Sequence, residues 1–218
     1  MRNLTFLLAV ILFAKNSSAQ IQVSKEPRHH NVFENQWVRI LDVHIPPHDT
    51  SLMHKHSTPS VFMVLSNTKT GSQVLIEPGK PSFADGNIWF EGFYEKPRVH
   101  RVWNEDTVEF HVIDMELLHP PAASFDTSLG FPFSKRLFDE KPVRAFRLTL
   151  PSKQAFKVQG LKYPLVVVGL SGPGITASVN GKTFSKKGDF LFISAGEGFG
   201  ISNPNGTGDA QFAVFVLK

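Results

Sequence analysis

Three histidines with a regular spacing are the residues of this 218-residue sequence best suited to chemistry. His54 and His56 are separated by one residue, so an extended strand places both imidazoles on the same face. His100 lies on a second stretch predicted to be extended, four residues before Asn104. If the two stretches are neighbours, three neutral imidazoles converge. Such a set binds Zn(II), Fe(II), Cu(II), Ni(II) or Mn(II) and leaves positions for water or substrate.

The composition excludes several other kinds of site. The sequence has no cysteine, which excludes disulfides, thiolate nucleophiles and cysteine-ligated zinc or iron–sulfur clusters. All nine histidines precede Pro120, so histidine chemistry belongs to the first part of the chain. No cluster of Lys and Arg is interleaved with aromatic residues, and we therefore expect no nucleic-acid partner. The G-x-S-x-G, H-E-x-x-H and Walker patterns are also absent.

The other histidines are less informative from sequence alone. His44 and His111 lie on strands expected to flank the candidate site, where they either are exposed, the preferred interpretation, or orient substrate or support the ligands. The remaining four neighbour turns or chain ends and are expected at the surface: His29, His30, His48 and His119.

The first 19 residues have the pattern of a cleaved signal peptide. Arg2 supplies a positive charge, residues 4–14 are apolar apart from Thr5, and small residues precede Gln20, the expected mature N-terminus. The apolar run is too short to anchor a protein in a bilayer. We therefore expect a secreted or periplasmic protein with no membrane anchor after cleavage. Removal of the segment lowers the formal net charge from +4 to +2, which gives little support to a polyanionic partner.

Beyond this segment, the sequence is typical of an all-β fold. Short β-branched and Phe-rich runs alternate with turn signals, and Asn180-Gly181 predicts a two-residue hairpin. Two halves look like diverged copies, because residues 38–46 align with 143–151 without a gap and residues 100–104 align with 199–203. We predict a first unit over residues 20–118, a connector over 119–142 and a second unit over 143–218.

These features resemble the cupin superfamily of small β-barrels. Its two motifs run G-x5-H-x-H-x3,4-E-x6-G and G-x5-P-x-G-x2-H-x3-N. His54-x-His56 and His100-x3-Asn104 match them, about 45 residues apart. The resemblance implies two tandem cupin barrels, that is, jelly-roll or double-stranded β-helix units. It also implies one divalent metal held by His54, His56 and His100, with Asn104 supporting the local turn.

The departures from the family pattern concern the fourth ligand and the second unit. The family glutamate falls at Ser60 or Val61, neither of which supplies a carboxylate. Glu91 or Glu95, on the stretch leading to His100, is an alternative fourth ligand. Phe199 stands where the second unit would carry its histidine, so this unit is expected to be degenerate and to bind no metal.

The sequence therefore predicts an exported bicupin with one divalent metal ion and a small organic substrate. As an enzyme it would use metal-bound water, Lewis-acid enolisation or dioxygen activation, and the hydrolase, isomerase and oxygenase classes all stay open. The alternative is a non-catalytic bicupin that binds a sugar or another small ligand, or a purely structural one. The resemblance to cupins also suggests a homodimer formed by strand exchange or sheet packing.

Overall fold

The computed structural model describes residues 20–218 except 123, 127, 173 and 205–207, and of residues 83–85 it describes the backbone. The predicted signal peptide, residues 1–19, lies outside the described residues. Over the described part of the chain, no helix is long and apolar enough to cross a membrane. Helical structure is limited there to one 3₁₀ turn, Val23–Lys25, and the other regular elements are β-strands. The prediction of an all-β fold is confirmed.

Among the described residues, the first half of the chain forms ten strands: β1 Ile21–Gln22, β2 His29–Glu34, β3 Val38–Ile45, β4 His54–His56, β5 Ser60–Val64, β6 Asn67–Val74, β7 Lys80–Asp85, β8 Ile88–Glu91, β9 Arg98–Asn104 and β10 Phe110–Leu117. The second half forms nine: β11 Ser134–Asp139, β12 Val143–Leu150, β13 Ala155–Val158, β14 Leu165–Gly169, β15 Ala177–Val179, β16 Lys182–Phe184, β17 Phe190–Ile193, β18 Phe199–Ser202 and β19 Ala210–Leu217.

The strands form two pairs of sheets that repeat one arrangement. The sheets of the first pair have the orders β2-β3-β10-β5-β8 and β1-β4-β9-β6-β7. Those of the second pair have the orders β11-β12-β19-β14-β17 and β13-β18-β15-β16. β3 and β12 occupy the same place in their sheets, as the sequence alignment of residues 38–46 with 143–151 predicts. We refer to the two pairs as the first and second barrels.

Strand β3 shows why the two barrels pack against each other. Its side chains alternate between two faces, so Leu41, Val43 and Ile45 lie inside the first barrel. Val38 and Ile40 lie on the opposite face, in an apolar cluster shared with strands of the second barrel. Both faces of one strand are thus buried. Each such side chain contributes about 1.5–3 kcal/mol relative to an exposed one.

The predicted turn at Asn180-Gly181 is confirmed. Asn180 and Gly181 both have positive φ, 47° and 82°, as this class of two-residue hairpin requires, and they join β15 to β16. β11 lies within residues 119–142, the segment predicted as a connector, and pairs with β12.

One buried asparagine fixes the same turn in each barrel. The Asn104 side-chain amide donates to the carbonyls of Ile45 and Val108, at 3.0 and 2.8 Å. In the second barrel, the Asn203 amide donates to the carbonyls of Leu150 and Gly208, at 3.1 and 3.0 Å. Each asparagine therefore ties the end of one strand to the loop that leads into the last strand of its barrel.

Replacing Asn203 with alanine is expected to lower the free energy of unfolding by about 1–3 kcal/mol, because two carbonyls lose their buried donor. Urea unfolding followed by far-ultraviolet circular dichroism measures this loss. Asn67→Ala, at an exposed position on β6, is the matched control and should change stability by less than about 0.5 kcal/mol. Equal effects of the two substitutions would contradict a structural role for Asn203.

Candidate metal centre

The pairing of β4 with β9 brings the sequence-predicted histidines together. His54 and His100 are directly opposite each other in this antiparallel pair, and His56 lies two residues further along β4 on the same face. The Nε2 atom of His56 lies 3.1 Å from Nε2 of His54 and 3.0 Å from Nε2 of His100. Ligand atoms that share a metal at about 2.0–2.1 Å are separated by about 3 Å, so this spacing suits one shared ion.

A fourth histidine joins the three from the opposite sheet. His29, on β2, has its ring centroid 4.6 Å from that of His54 and 6.4 Å from that of His56. Nitrogens of His29, His54 and His56 all lie within 4.8 Å of one another. The prediction of a surface position is wrong for His29, which is buried, because strand alternation turns it inward and turns His30 outward.

The imidazole tautomers are fixed by acceptors on the far side of the rings. His29 Nδ1 lies 2.5 Å from Glu26 Oε2, and His54 Nδ1 lies 2.8 Å from the Leu52 carbonyl oxygen. A carboxylate and a carbonyl accept hydrogen bonds, so both Nδ1 atoms carry a proton, and in the neutral ring Nε2 is then the nitrogen with the lone pair. Glu26 is itself held by the backbone N–H groups of Leu52 and Arg28. This carboxylate–histidine arrangement is the one that orients metal ligands.

His56 has a carboxylate behind it as well. Its Nδ1 atom is buried and lies 3.5 Å from Asp114 Oδ2, beyond hydrogen-bond reach, and it has no hydrogen-bond partner among the described residues. Burial, and then the Glu116 carboxylate, raise the pKa of Asp114 well above its usual value. Asp114 therefore lies on the Nδ1 side of His56, as Glu26 lies on the Nδ1 side of His29, but its carboxylate is farther from the ring.

Burial keeps the imidazoles neutral. Burial, and then the electrostatic interaction with His29, lower the pKa of His54 to about 4. Burial, and then His54, lower the pKa of His100 to about 3, and burial lowers that of His56 well below its usual value. Neutral imidazoles with free Nε2 lone pairs are the form that binds a metal.

Neither candidate glutamate takes the fourth position. Glu91 forms an ion pair with Arg98 on the adjacent strand, and Glu95 is exposed in the loop before β9. Phe93, in the same loop, has a positive φ of 51° and places its ring against His56, 5.5 Å between centroids. His29, and not this loop, therefore brings a fourth potential ligand atom close to the three histidines.

The four histidines lie at one side of a cavity of about 240 Å³ between the sheets of the first barrel. Its wall is mainly apolar, with Arg98 as its one arginine and with hydroxyl and amide groups elsewhere. The lining side chains besides the histidines and Asp114 include Val43, Ile45, Phe62, Val64, Thr70, Ser72, Ser82, Asn87, Trp89, Arg98, Val102, Phe110 and Val112. The cavity can hold a small organic molecule beside the histidines.

The equivalent space in the second barrel is filled by aromatic side chains. Phe199 is completely buried. It is opposite Val158 in the β13–β18 pair, as His100 is opposite His54 in the β4–β9 pair. Its ring makes edge-to-face contacts with Phe131 and Phe156, at 5.4 and 5.5 Å between centroids. Packed phenylalanine rings therefore occupy the place that the histidine cluster occupies in the first barrel.

Similarity to known proteins is visible in the structure. No family model matches the sequence, and no curated protein matches it either. A cupin 2 conserved barrel domain protein from Leptotrichia buccalis superposes with a TM-score of 0.54 at 13% identity, over 85% of this chain and 86% of that one. The chain has the cupin fold. The resemblance noted in the sequence is confirmed at this level.

Two further solved structures with this fold superpose over most of the chain. The Escherichia coli bacterial pirin YhhW, solved in complex with nickel(II), superposes with a TM-score of 0.59 at 15% identity, over 87% of this chain and 90% of that chain. A salicylate 1,2-dioxygenase from Pseudoaminobacter salicylatoxidans, solved as adducts with gentisate, superposes with a TM-score of 0.58 at 11% identity. That match covers 85% of this chain and 70% of the dioxygenase.

The lowered histidine pKa values predict that the metal-free protein loses stability in acid. Between about pH 6.5 and pH 4 the unfolded chain binds protons that folded His54 and His100 do not, so stability rises with pH in this window. Each histidine contributes at most about 1.4 kcal/mol per pH unit. Urea unfolding at several pH values, with a chelator present, measures the slope. The variant His54→Gln/His100→Gln should show a shallower slope, and equal slopes would contradict the assignment.

Proposed function

We propose that the first barrel binds one divalent metal ion through Nε2 of His54, His56 and His100, with His29 as the fourth ligand, and acts there on a small organic substrate. The observation that carries this proposal is the convergence of these Nε2 atoms beside an internal cavity. The Nδ1 hydrogen bonds of His29 and His54 leave their Nε2 lone pairs available, and one shared cation would satisfy all the converging nitrogens at once.

The donor set narrows the choice of metal. Four neutral nitrogens suit nickel(II), iron(II), copper(II) or zinc(II) better than manganese(II), which favours carboxylate oxygens. Four-coordinate zinc sites with only protein ligands are closed, whereas catalysis needs an open position. A metal that takes up to six ligands keeps such positions when all four histidines bind. Nickel(II) and iron(II) therefore fit a catalytic role best, and the nickel(II) complex of YhhW supports a metal of this kind.

The cavity favours a small, partly apolar organic anion as substrate. Arg98 lies on β9 two residues before His100, lines the cavity, and also stacks over the Phe93 ring at 5.7 Å. Its pairing with Glu91 holds the guanidinium in place. The apolar wall binds the carbon skeleton of the substrate, and Arg98 binds its anionic group. The similarity to a salicylate dioxygenase supports this substrate class.

Oxygenation is the reaction class that we place first. When bound, the metal would supply a Lewis acid and, if it is iron(II), a centre that reacts with dioxygen. The protein's own residues supply an apolar wall, orient His29 through Glu26, and position the anion through Arg98. Export to the periplasm or beyond, as the N-terminal residues 1–19 indicate, is part of the same proposal.

Metal content tests the proposal directly. The purified full chain should carry or take up nickel(II) or iron(II), and His54→Ala/His100→Ala should remove one equivalent per chain, as measured by elemental analysis after dialysis. Glu26→Gln should weaken binding by about 10–100-fold, because His29 loses its orienting carboxylate. The matched controls are His48→Asn and Glu34→Gln, both exposed, which should leave the metal content unchanged. Metal content that is unaffected by His54→Ala/His100→Ala would contradict the site.

Turnover of small aromatic or aliphatic carboxylates under air and under nitrogen tests the reaction class. We expect consumption under air only, and Arg98→Gln should raise KM by about 10-fold or more, because an ion pair with the substrate is lost. Lys55→Gln, on β4 but outside the cavity lining, is the control. Turnover under nitrogen would identify an isomerase or hydrolase instead. Stoichiometric binding of a carboxylate or a sugar without turnover would support the non-catalytic alternative.

A further inference from the structure

A second cluster of metal-binding side chains lies on the outside of the first barrel. Asp42 and His44 alternate with the inward-facing Leu41, Val43 and Ile45 on β3, so both point away from the cavity. On the neighbouring strand β10, His111 is directly opposite His44. The register thus puts one carboxylate and two imidazoles side by side on the outer face of the sheet.

The geometry of the cluster directs both imidazoles at the same carboxylate. His111 Nε2 lies 2.7 Å from Asp42 Oδ1, and His44 Nε2 lies 3.1 Å from Asp42 Oδ2. The two rings are stacked, with 4.3 Å between centroids and 19° between planes, so their Nε2 atoms point the same way. A potential ligand atom of each of the three residues lies within 4.8 Å of the others.

We propose that Asp42, His44 and His111 bind a second divalent transition metal ion, separate from the one in the cavity. Two imidazole nitrogens and one carboxylate oxygen are a donor set that zinc(II), nickel(II) and copper(II) accept. The three side chains are half-buried, which fixes them and still leaves space on the solvent side for water as a further ligand. This proposal does not depend on the function of the internal site.

The surroundings of His44 match those of a ligating histidine. His44 Nδ1 lies 2.7 Å from Glu109 Oε1, so this carboxylate leaves His44 Nε2 to face the proposed ion. His30, opposite Asp42 in the β2–β3 pair, has its ring centroid 6.4 Å from that of His44. A rotation of this exposed side chain would bring a third imidazole to the ion.

The second barrel touches the cluster and fixes its position. Gly188, in the turn between β16 and β17, has a φ of 86°, and a Cβ there would lie 3.2 Å from His111 Cε1. The adjacent Lys187 donates from Nζ to the Leu65 carbonyl at 2.9 Å. The proposed ion therefore lies near the junction of the two barrels, where it would link β3 to β10.

The test isolates this site by disabling the internal one. The full-length His54→Ala/His100→Ala variant is titrated with zinc(II) at about pH 8 in competition with a chromophoric chelator, because metal binding to histidine is favoured as the proton concentration falls. We expect one equivalent bound with micromolar or tighter affinity. Adding Asp42→Asn or His111→Ala should weaken this binding at least 10-fold, and Glu109→Gln should weaken it about 10–100-fold. His48→Asn should leave it unchanged.

Three outcomes would overturn the proposal: no zinc bound by the His54→Ala/His100→Ala variant, binding unaffected by Asp42→Asn, or binding unaffected by His111→Ala. Circular dichroism of each variant shows whether it is folded. The nearly isosteric Asp42→Asn keeps the test valid if His111→Ala unfolds. In the otherwise unaltered chain, Asp42→Asn should remove one of two zinc equivalents. If the internal site binds no metal, Asp42→Asn should still remove one equivalent, because none of the internal histidines belongs to the cluster.

Discussion

The polar interior of the first barrel depends on the burial of uncharged imidazoles. Ionised groups cannot remain in such a space without partners, and here burial itself removes the charge by lowering the pKa of His54 and His100. The backbone supplies the rest of the constraint, because the β4–β9 register makes these two histidines direct neighbours. The two β-sheets then enclose a mainly apolar cavity that the four histidines line.

Much of this arrangement could be predicted from the sequence, because its signals are local. Alternating strands, turn residues and the repeat of residues 38–46 at 143–151 indicated a tandem all-β fold. The spacing of His54 and His56 indicated a shared strand face. The inward position of His29 could not be predicted, because His29 lies 25 residues before His54 and next to His30. On β2 alternate side chains face opposite sides of the sheet, and only this alternation turns His29 inward and His30 outward. The direction of this alternation is set by pairing with β3, a tertiary contact that no local pattern encodes.

The cluster of Asp42, His44 and His111 illustrates the same limit from the opposite direction. His44 and His111 are 67 positions apart, and the sequence indicated only that each belongs to a strand near the site. Their face of the sheet was decided by which neighbours had to be buried: Val43 and Val112 fill the barrel, and the histidines therefore face outward. Core packing therefore separates the histidines that line the cavity from His44 and His111 on the outer face of the sheet.

Comparison of the two barrels shows which features belong to the scaffold and which to the site. Asn104 and Asn203 make equivalent hydrogen bonds, so the turn they support is a requirement of the barrel itself. The position before this turn differs: His100 faces a cavity, whereas Phe199 fills the interior. A filled interior packs more tightly and gains apolar burial. The first barrel, which contains a cavity, lacks that stabilisation. The apolar cluster that it shares with the second barrel stabilises its outer face. The second barrel thus contributes to the site by packing, without contributing a ligand to the internal histidine cluster.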